Sequence, residues 1–94
     1  MIRTFKDEEA SKIFNRQRSS KLDQAMQPVA FRKLRMIDNA RTINDLRAPP
    51  GNRLEKLQGD REGQYSIRIN DQYRICFIWR DGDAYMAFPK SVEK

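Results

Sequence analysis

No histidine occurs anywhere in the 94 residues, and that absence removes the usual neutral-pH acid and base, the commonest metal ligand and every histidine-dependent nucleophile triad. Any catalysis must use other groups. Cysteine is nearly missing as well. Cys76 stands alone, so no disulfide framework is available, and its place inside an apolar hairpin reads as a small packed side chain of a reduced, cytoplasmic protein. No apolar run approaches the length that spans a bilayer, and the opening MIRTFKDEEA lacks the apolar core of a secretion signal. Neither a membrane partner nor a metal or small-molecule cofactor is expected, and no internal repeat or low-complexity tract is present.

What the chain does have is positive charge. Lys plus Arg is 19 against 13 Asp plus Glu, a net +6, which favours a nucleic acid or an acidic protein segment as partner. Hydrophobic residues make up 38% of the chain, enough for one compact domain over 1–94 with a modest core and too little for two.

Along the chain, Ile2 to Phe5 alternates as a short strand, and Asp7, Glu8 and Glu9 supply the negative first turn that a helix N-terminus favours. Ala10, Ile13 and Phe14 follow at helical spacing, and the helix fades near Asn15. The polar, basic stretch 16–27 reads as a mobile connector. Pro28 suits the first turn of a second helix reaching about Ala40, with Ala30, Leu34 and Ile37 inward and Arg32, Lys33 and Arg35 towards solvent. Thr42 followed by Asp45 resembles a capping box opening a one-turn helix through Leu46, which Ala48, Pro49, Pro50 and Gly51 then break. Arg53 to Leu57 is expected to be a short strand.

The segment Gly51 to Trp79 carries most of the functional information, because arginines recur along an apolar hairpin. Tyr65, Ile67 and Ile69 share one face of the first strand; Tyr73, Ile75, Phe77 and Trp79 share one face of the second. A two-residue loop at Asn70 and Asp71 would pair Ile67 with Arg74 and mix the faces. A three-residue loop, Asn70 to Gln72, pairs Ile67 with Ile75 and sets Arg68 opposite Arg74 on the other face. Two facing arginines either lean into water or present planar forks to phosphate. Asp81 and Gly82 then signal a second hairpin pairing Trp79 with Ala84, Phe77 with Met86 and Ile75 with Phe88. Helices covering the apolar face would leave Arg68, Arg74 and Tyr85 open to a ligand.

The order strand, two helices, NRLEKLQGDREGQYSIRINDQYRICF and then DGDAY resembles the host-inhibition-of-growth (HigB-type) toxins of the RelE superfamily. The likeness covers nearly the whole chain and is most specific from Leu57 to Phe77, with its Gly59, Asp60, Arg61 turn and its Tyr73, Arg74, Ile75 strand. It implies a small α+β RelE-like domain, with two N-terminal helices packed on one face of a mainly antiparallel sheet. It also implies the toxin of a type II toxin–antitoxin system, a ribosome-dependent messenger RNA endoribonuclease neutralised by a cognate helix-turn-helix antitoxin. The implied reaction is metal-independent: a 2′-hydroxyl attacks the adjacent phosphate, helped by a base, an acid and cations against the developing charge. By the same resemblance Arg74 would stabilise the pentavalent phosphate; Arg53, Lys56, Arg61 and Arg68 would hold the RNA backbone; Tyr65 and Tyr85 would stack on bases.

The chain departs from that family in two places. Where such toxins commonly carry a histidine after a leucine, it has Glu55. Glu55 would be the base if burial raised its pKa, against the plainer state of an exposed carboxylate paired with Lys56 or Arg53. The family's closing Asp, Tyr, His triplet falls on Ser91, Val92 and Glu93 in an ungapped count, inside an atypical tail, 89–94, where Pro89 should interrupt the last strand. The tail is open to three explanations: a natural variant of weak activity, a frame-shifted or engineered end, or a member that works by binding. The alternatives to a nuclease are a catalytically inactive toxin that binds its antitoxin and a ParE-like topoisomerase inhibitor.

Overall fold

In the computed structural model the described residues are 1–6, 8–18, 24–56 and 63–91, with the backbone alone described at 8, 9 and 86–91. The chain runs β1 (Ile2–Phe5), α1 (Glu8–Phe14), α2 (Gln27–Asn39), two 3-10 turns (Ile43–Arg47 and Pro50–Asn52), β2 (Glu55–Lys56), β3 (Gln64–Arg68), β4 (Tyr73–Arg80) and β5 (Asp83–Ser91). Five strands form one mixed sheet in the order β1-β5-β4-β3-β2. β1 lies parallel to β5 and every other neighbour is antiparallel. Among the described residues no helix is long and apolar enough to cross a membrane.

Local chemistry explains the elements. Pro28 occupies the first turn of α2, where its missing N–H costs nothing, and α2 stops at Ala40 in an extended conformation. The carboxylate of Asp45 accepts from the backbone N–H groups of Thr42 (3.1 Å) and Arg41 (3.0 Å), closing the acidic half of the capping box before the first 3-10 turn. Those two N–H groups, Thr42 first, hold the Asp45 carboxyl below the usual aspartate range. Asp81 and Gly82 both take left-handed φ, 53° and 81°, the geometry of a two-residue hairpin whose twist matches its strands.

The hairpin register is the one that keeps the faces separate: Ile67 pairs with Ile75 and Arg68 with Arg74. Ala30, Leu34 and Ile37 of α2 and Ile13 of α1 join Ile67, Ile75, Phe77 and Ala84 in one buried cluster. At an order of 25 cal/mol per Å² of apolar surface removed from water, such a cluster is the main force stabilising the fold.

Three expectations need correction. The pairings of Trp79 with Ala84 and Phe77 with Met86 hold, but an irregularity between Cys76 and Phe77 moves the rest, so that Cys76 faces Phe88 and Ile75 faces Pro89. One extra residue on β5 is the signature of a bulge. Pro89 does not interrupt β5, which runs to Ser91; beyond Met86 no β1 partner flanks it, and an open edge accommodates a residue without an N–H. The short strand begins at Glu55 and not at Arg53, because Arg53 takes left-handed angles (φ 44°, ψ 57°) as the cap of the preceding turn. Leu57, the Gly59, Asp60, Arg61 turn, the middle of the 16–27 connector and the last three residues lie outside the described residues.

Candidate nucleic-acid interface

Alternation along the strands sorts the candidate residues by face. Ser66, Arg68, Arg74, Cys76 and Ile78 share the side of the sheet away from Ile67, Ile75 and Phe77. Because paired residues across an antiparallel ladder point to the same side, Glu55, opposite Ser66, joins them at the β2 edge, and Tyr85, opposite Ile78, joins them on β5. Lys56 pairs with Tyr65 and so lies on the opposite, apolar side. Tyr65 stacks there on Phe77, with ring centroids 6.3 Å apart. Arg53 is exposed, and Arg61 lies outside the described residues.

The face is less open than the alternation suggests, because Arg74 lies down on the sheet instead of standing out from it. Its side chain is 16% exposed. Nε donates to the Ser66 hydroxyl at 2.9 Å, and Nη2 donates to the Arg53 carbonyl at 2.5 Å and the Ser66 carbonyl at 3.3 Å. The Glu55 carboxylate stands 3.9 Å from the same Nη2 and is itself 61% exposed. One edge of the guanidinium is thus fixed by the protein. Among the described residues Nη1 has no partner, which leaves the outer end of the fork for an anion.

Opposite it, Arg68 donates to Asp71 in the hairpin loop. The like-charge pair is tolerated because each guanidinium turns to its own acceptor. Lys33 of α2, expected towards solvent, is half-buried and donates to Asn52. Burial, then the nearby charges of Arg32 and Arg68, hold its ammonium below the usual lysine pKa. Tyr85 is four residues farther along the sheet than Arg74, roughly 13 Å at the usual strand rise, beneath the Arg80 guanidinium at 6.0 Å from its ring.

Ser66, Asn52 and Lys33 are the residues that sequence reasoning missed. Ser66 had a visible signal, as the polar residue in register with the arginines; Asn52 reads as an ordinary turn residue. An open concavity of about 500 Å³ lies elsewhere, between the end of α1 and the start of α2, with Arg16 stacked over Phe31 and Arg18 on its rim. None of the arginine-face residues lines it. Among the described residues no group of three or more His, Cys, Asp and Glu side chains gathers to hold a metal ion.

Comparison with known proteins is consistent in direction. Residues 3–88 match the family model for the HigB-like toxin, described as the RelE-like toxin of the type II toxin–antitoxin system HigB. The chain is 41% identical over 85 residues to Toxin HigB-1 of Vibrio cholerae serotype O1, covering 89% of this chain and 90% of that protein. It is 41% identical over 54 residues to Endoribonuclease HigB of Proteus vulgaris, covering 57% of this chain and 58% of that one. Among solved structures, the heterotetrameric YoeB-YefM toxin-antitoxin complex of Staphylococcus aureus contains a chain that superposes with a TM-score of 0.65 at 26% identity, over 99% of this chain and 97% of that one.

Proposed function

The chain belongs to the HigB-like toxins of type II toxin–antitoxin systems, and from that membership we propose that it cuts messenger RNA on the ribosome by a metal-independent attack at phosphorus, and that a helix-turn-helix antitoxin restrains it. The relative from Proteus vulgaris carries the name endoribonuclease, and the structural relative is a toxin bound to its antitoxin. The proposed place of action is the cytoplasm, where translating ribosomes are found.

The observation that carries the proposal is the setting of Arg74. Anchored by Nε and Nη2 and, among the described residues, unengaged at Nη1, it is a preorganised cation that loses little freedom when phosphate arrives. In the proposed reaction the 2′-hydroxyl of the RNA attacks the adjacent phosphorus, its proton passes to the Glu55 carboxylate, and Arg74 neutralises charge on the pentavalent phosphorus. The bond from phosphorus to the 5′-oxygen breaks, that oxygen takes a proton from solvent, and the upstream fragment is left with a 2′,3′-cyclic phosphate. Arg68 and Arg53 hold flanking phosphates, and Lys56 serves at the sheet edge, where β2 is exposed. Arg61 and Tyr85 complete the proposed RNA contacts; Tyr65 packs on Phe77 on the opposite side of the sheet and takes no part. The two helices close the apolar side, a reading supported by the cluster that joins Leu34 and Ile37 to Ile67 and Phe77.

One observation favours a second reading. The chain has no histidine and Glu55 is largely exposed, a weak acid–base set that suits a toxin which binds its antitoxin without cutting. A translating extract decides between them. The purified protein should cut messages at the A-site codon, and Arg74→Ala should lower the rate by roughly 10²- to 10³-fold, the usual cost of removing a transition-state donor. Intact messages at high protein concentration would overturn the nuclease, and inhibition of gyrase supercoiling in the same preparations would point to a ParE-like action.

A further inference from the structure

Arg74 rests on the carbonyl of Arg53, 21 residues away in sequence, and that carbonyl points at it because of an unusual backbone. Arg53 takes φ 44° and ψ 57°, a left-handed conformation that side-chain-bearing residues adopt at a cost and keep only when their surroundings enforce it. The enforcement comes from the preceding residue. Asn52 is fully buried, and its carboxamide is saturated: Nδ2 donates to the carbonyls of Leu46 and Ala48, each at 3.2 Å, and Oδ1 accepts from Lys33 of α2. The backbone is tied too, with Asn52 N–H donating to Pro49 at 2.9 Å and Arg53 N–H to Pro50 at 3.1 Å. One amide side chain therefore locks the second 3-10 turn to the first and both to a helix.

We propose that Asn52 is a positioning residue for Arg74: it touches no RNA, yet through the Arg53 carbonyl it fixes the angle at which the guanidinium meets phosphate. The inference rests on the reading of Arg74 as the phosphate ligand. It differs from a plain turn-stabilising role in one respect. A plain role predicts lower stability with an unaltered Arg74 in the molecules that remain folded; a positioning role predicts an altered Arg74 in those molecules.

The test uses the full chain, labelled with nitrogen-15, and follows the Arg74 Nε–H resonance, identified by its loss in Arg74→Lys. Asn52→Asp keeps the shape and the Lys33 contact but turns two donors into an oxygen facing two carbonyls. In the folded Asn52→Asp protein, exchange of the Arg74 Nε–H with water should accelerate about tenfold, the factor that matches loss of roughly one net hydrogen bond. The saturated cleavage rate should fall roughly 10- to 100-fold, as misplaced reacting groups do, with half-saturation moving less than about twofold. Wild-type exchange and rate in folded Asn52→Asp would overturn the proposal. Should that variant fail to fold by circular dichroism, Lys33→Met removes the one bond to the carboxamide oxygen and should accelerate the same exchange by about threefold; no change there overturns the proposal equally. If the wild-type protein cuts no RNA, the nuclease reading fails, while the Nε–H exchange still judges the role of Asn52.

Discussion

Ser66 and Arg74 meet diagonally across the β3–β4 ladder, with the buried serine hydroxyl accepting from Arg74 Nε at 2.9 Å. A serine at 1% exposure is placed to orient a cation and not to bind solvent. Ser66→Ala should therefore cost about 1.5–3 kcal/mol, the range for a hydrogen bond to a charged group, measured by urea unfolding at neutral pH. Cleavage should weaken together with stability. A Ser66→Ala protein as stable and as active as the parent would show that the hydroxyl is incidental.

The Asp45 carboxylate offers a test by pH. Its pKa is depressed in the folded state by the Thr42 and Arg41 backbone N–H groups, so its contribution to stability is present above the unfolded aspartate pKa and is lost as pH falls through the lower folded value. Asp45→Asn should melt at a lower temperature than the parent at pH 7, and the gap should shrink below about pH 4. A gap that persists unchanged at pH 3 would mean that the charge is not what matters at this turn.

Gly82 is held at φ +81° with the nearest neighbour of an added Cβ being the Arg41 carbonyl at 3.6 Å, an ordinary contact. Space is available, so the penalty of Gly82→Ala is conformational: about 1 kcal/mol or more, from forcing a Cβ into the left-handed region. For a domain of this size that corresponds to a fall in Tm of about 4–8 °C. A melting temperature equal to the parent's would indicate a turn that rearranges without strain.

Much of the sheet was legible because strand alternation and turn chemistry constrain each other. Tyr65 to Ile69 and Tyr73 to Trp79 keep their faces separate only with the longer loop, and that loop is the one found, with the Ile69 N–H donating to the Tyr73 carbonyl at 3.0 Å. The bulge in β5 was not legible, since Ala84, Met86 and Phe88 alternate as an unbroken strand would. Arg53 was misread for a related reason, because nothing in an arginine's identity announces a left-handed backbone. At the site, Arg74 and Arg68 could be placed by register alone. The acceptors that orient Arg74 could not, since the Arg53 carbonyl arrives through tertiary packing of a turn that sequence marks only as a break. Lys33 likewise reads as a solvated helix residue until Asn52 is seen beneath it.

The parallel pairing of β1 with β5 has a kinetic consequence. Ile2 lies beside Ala84, whose N–H donates to the Met1 carbonyl at 2.9 Å, so β1, although it meets α1 and α2 through Phe14 and Asp38, must wait for β5 before it gains a strand partner. Closing so long a loop is slow compared with forming the local β3–β4 hairpin. A nascent chain therefore holds β1 outside any sheet until β5 is made, and protease resistance of β1 should arise abruptly, once β5 has emerged, instead of growing with chain length.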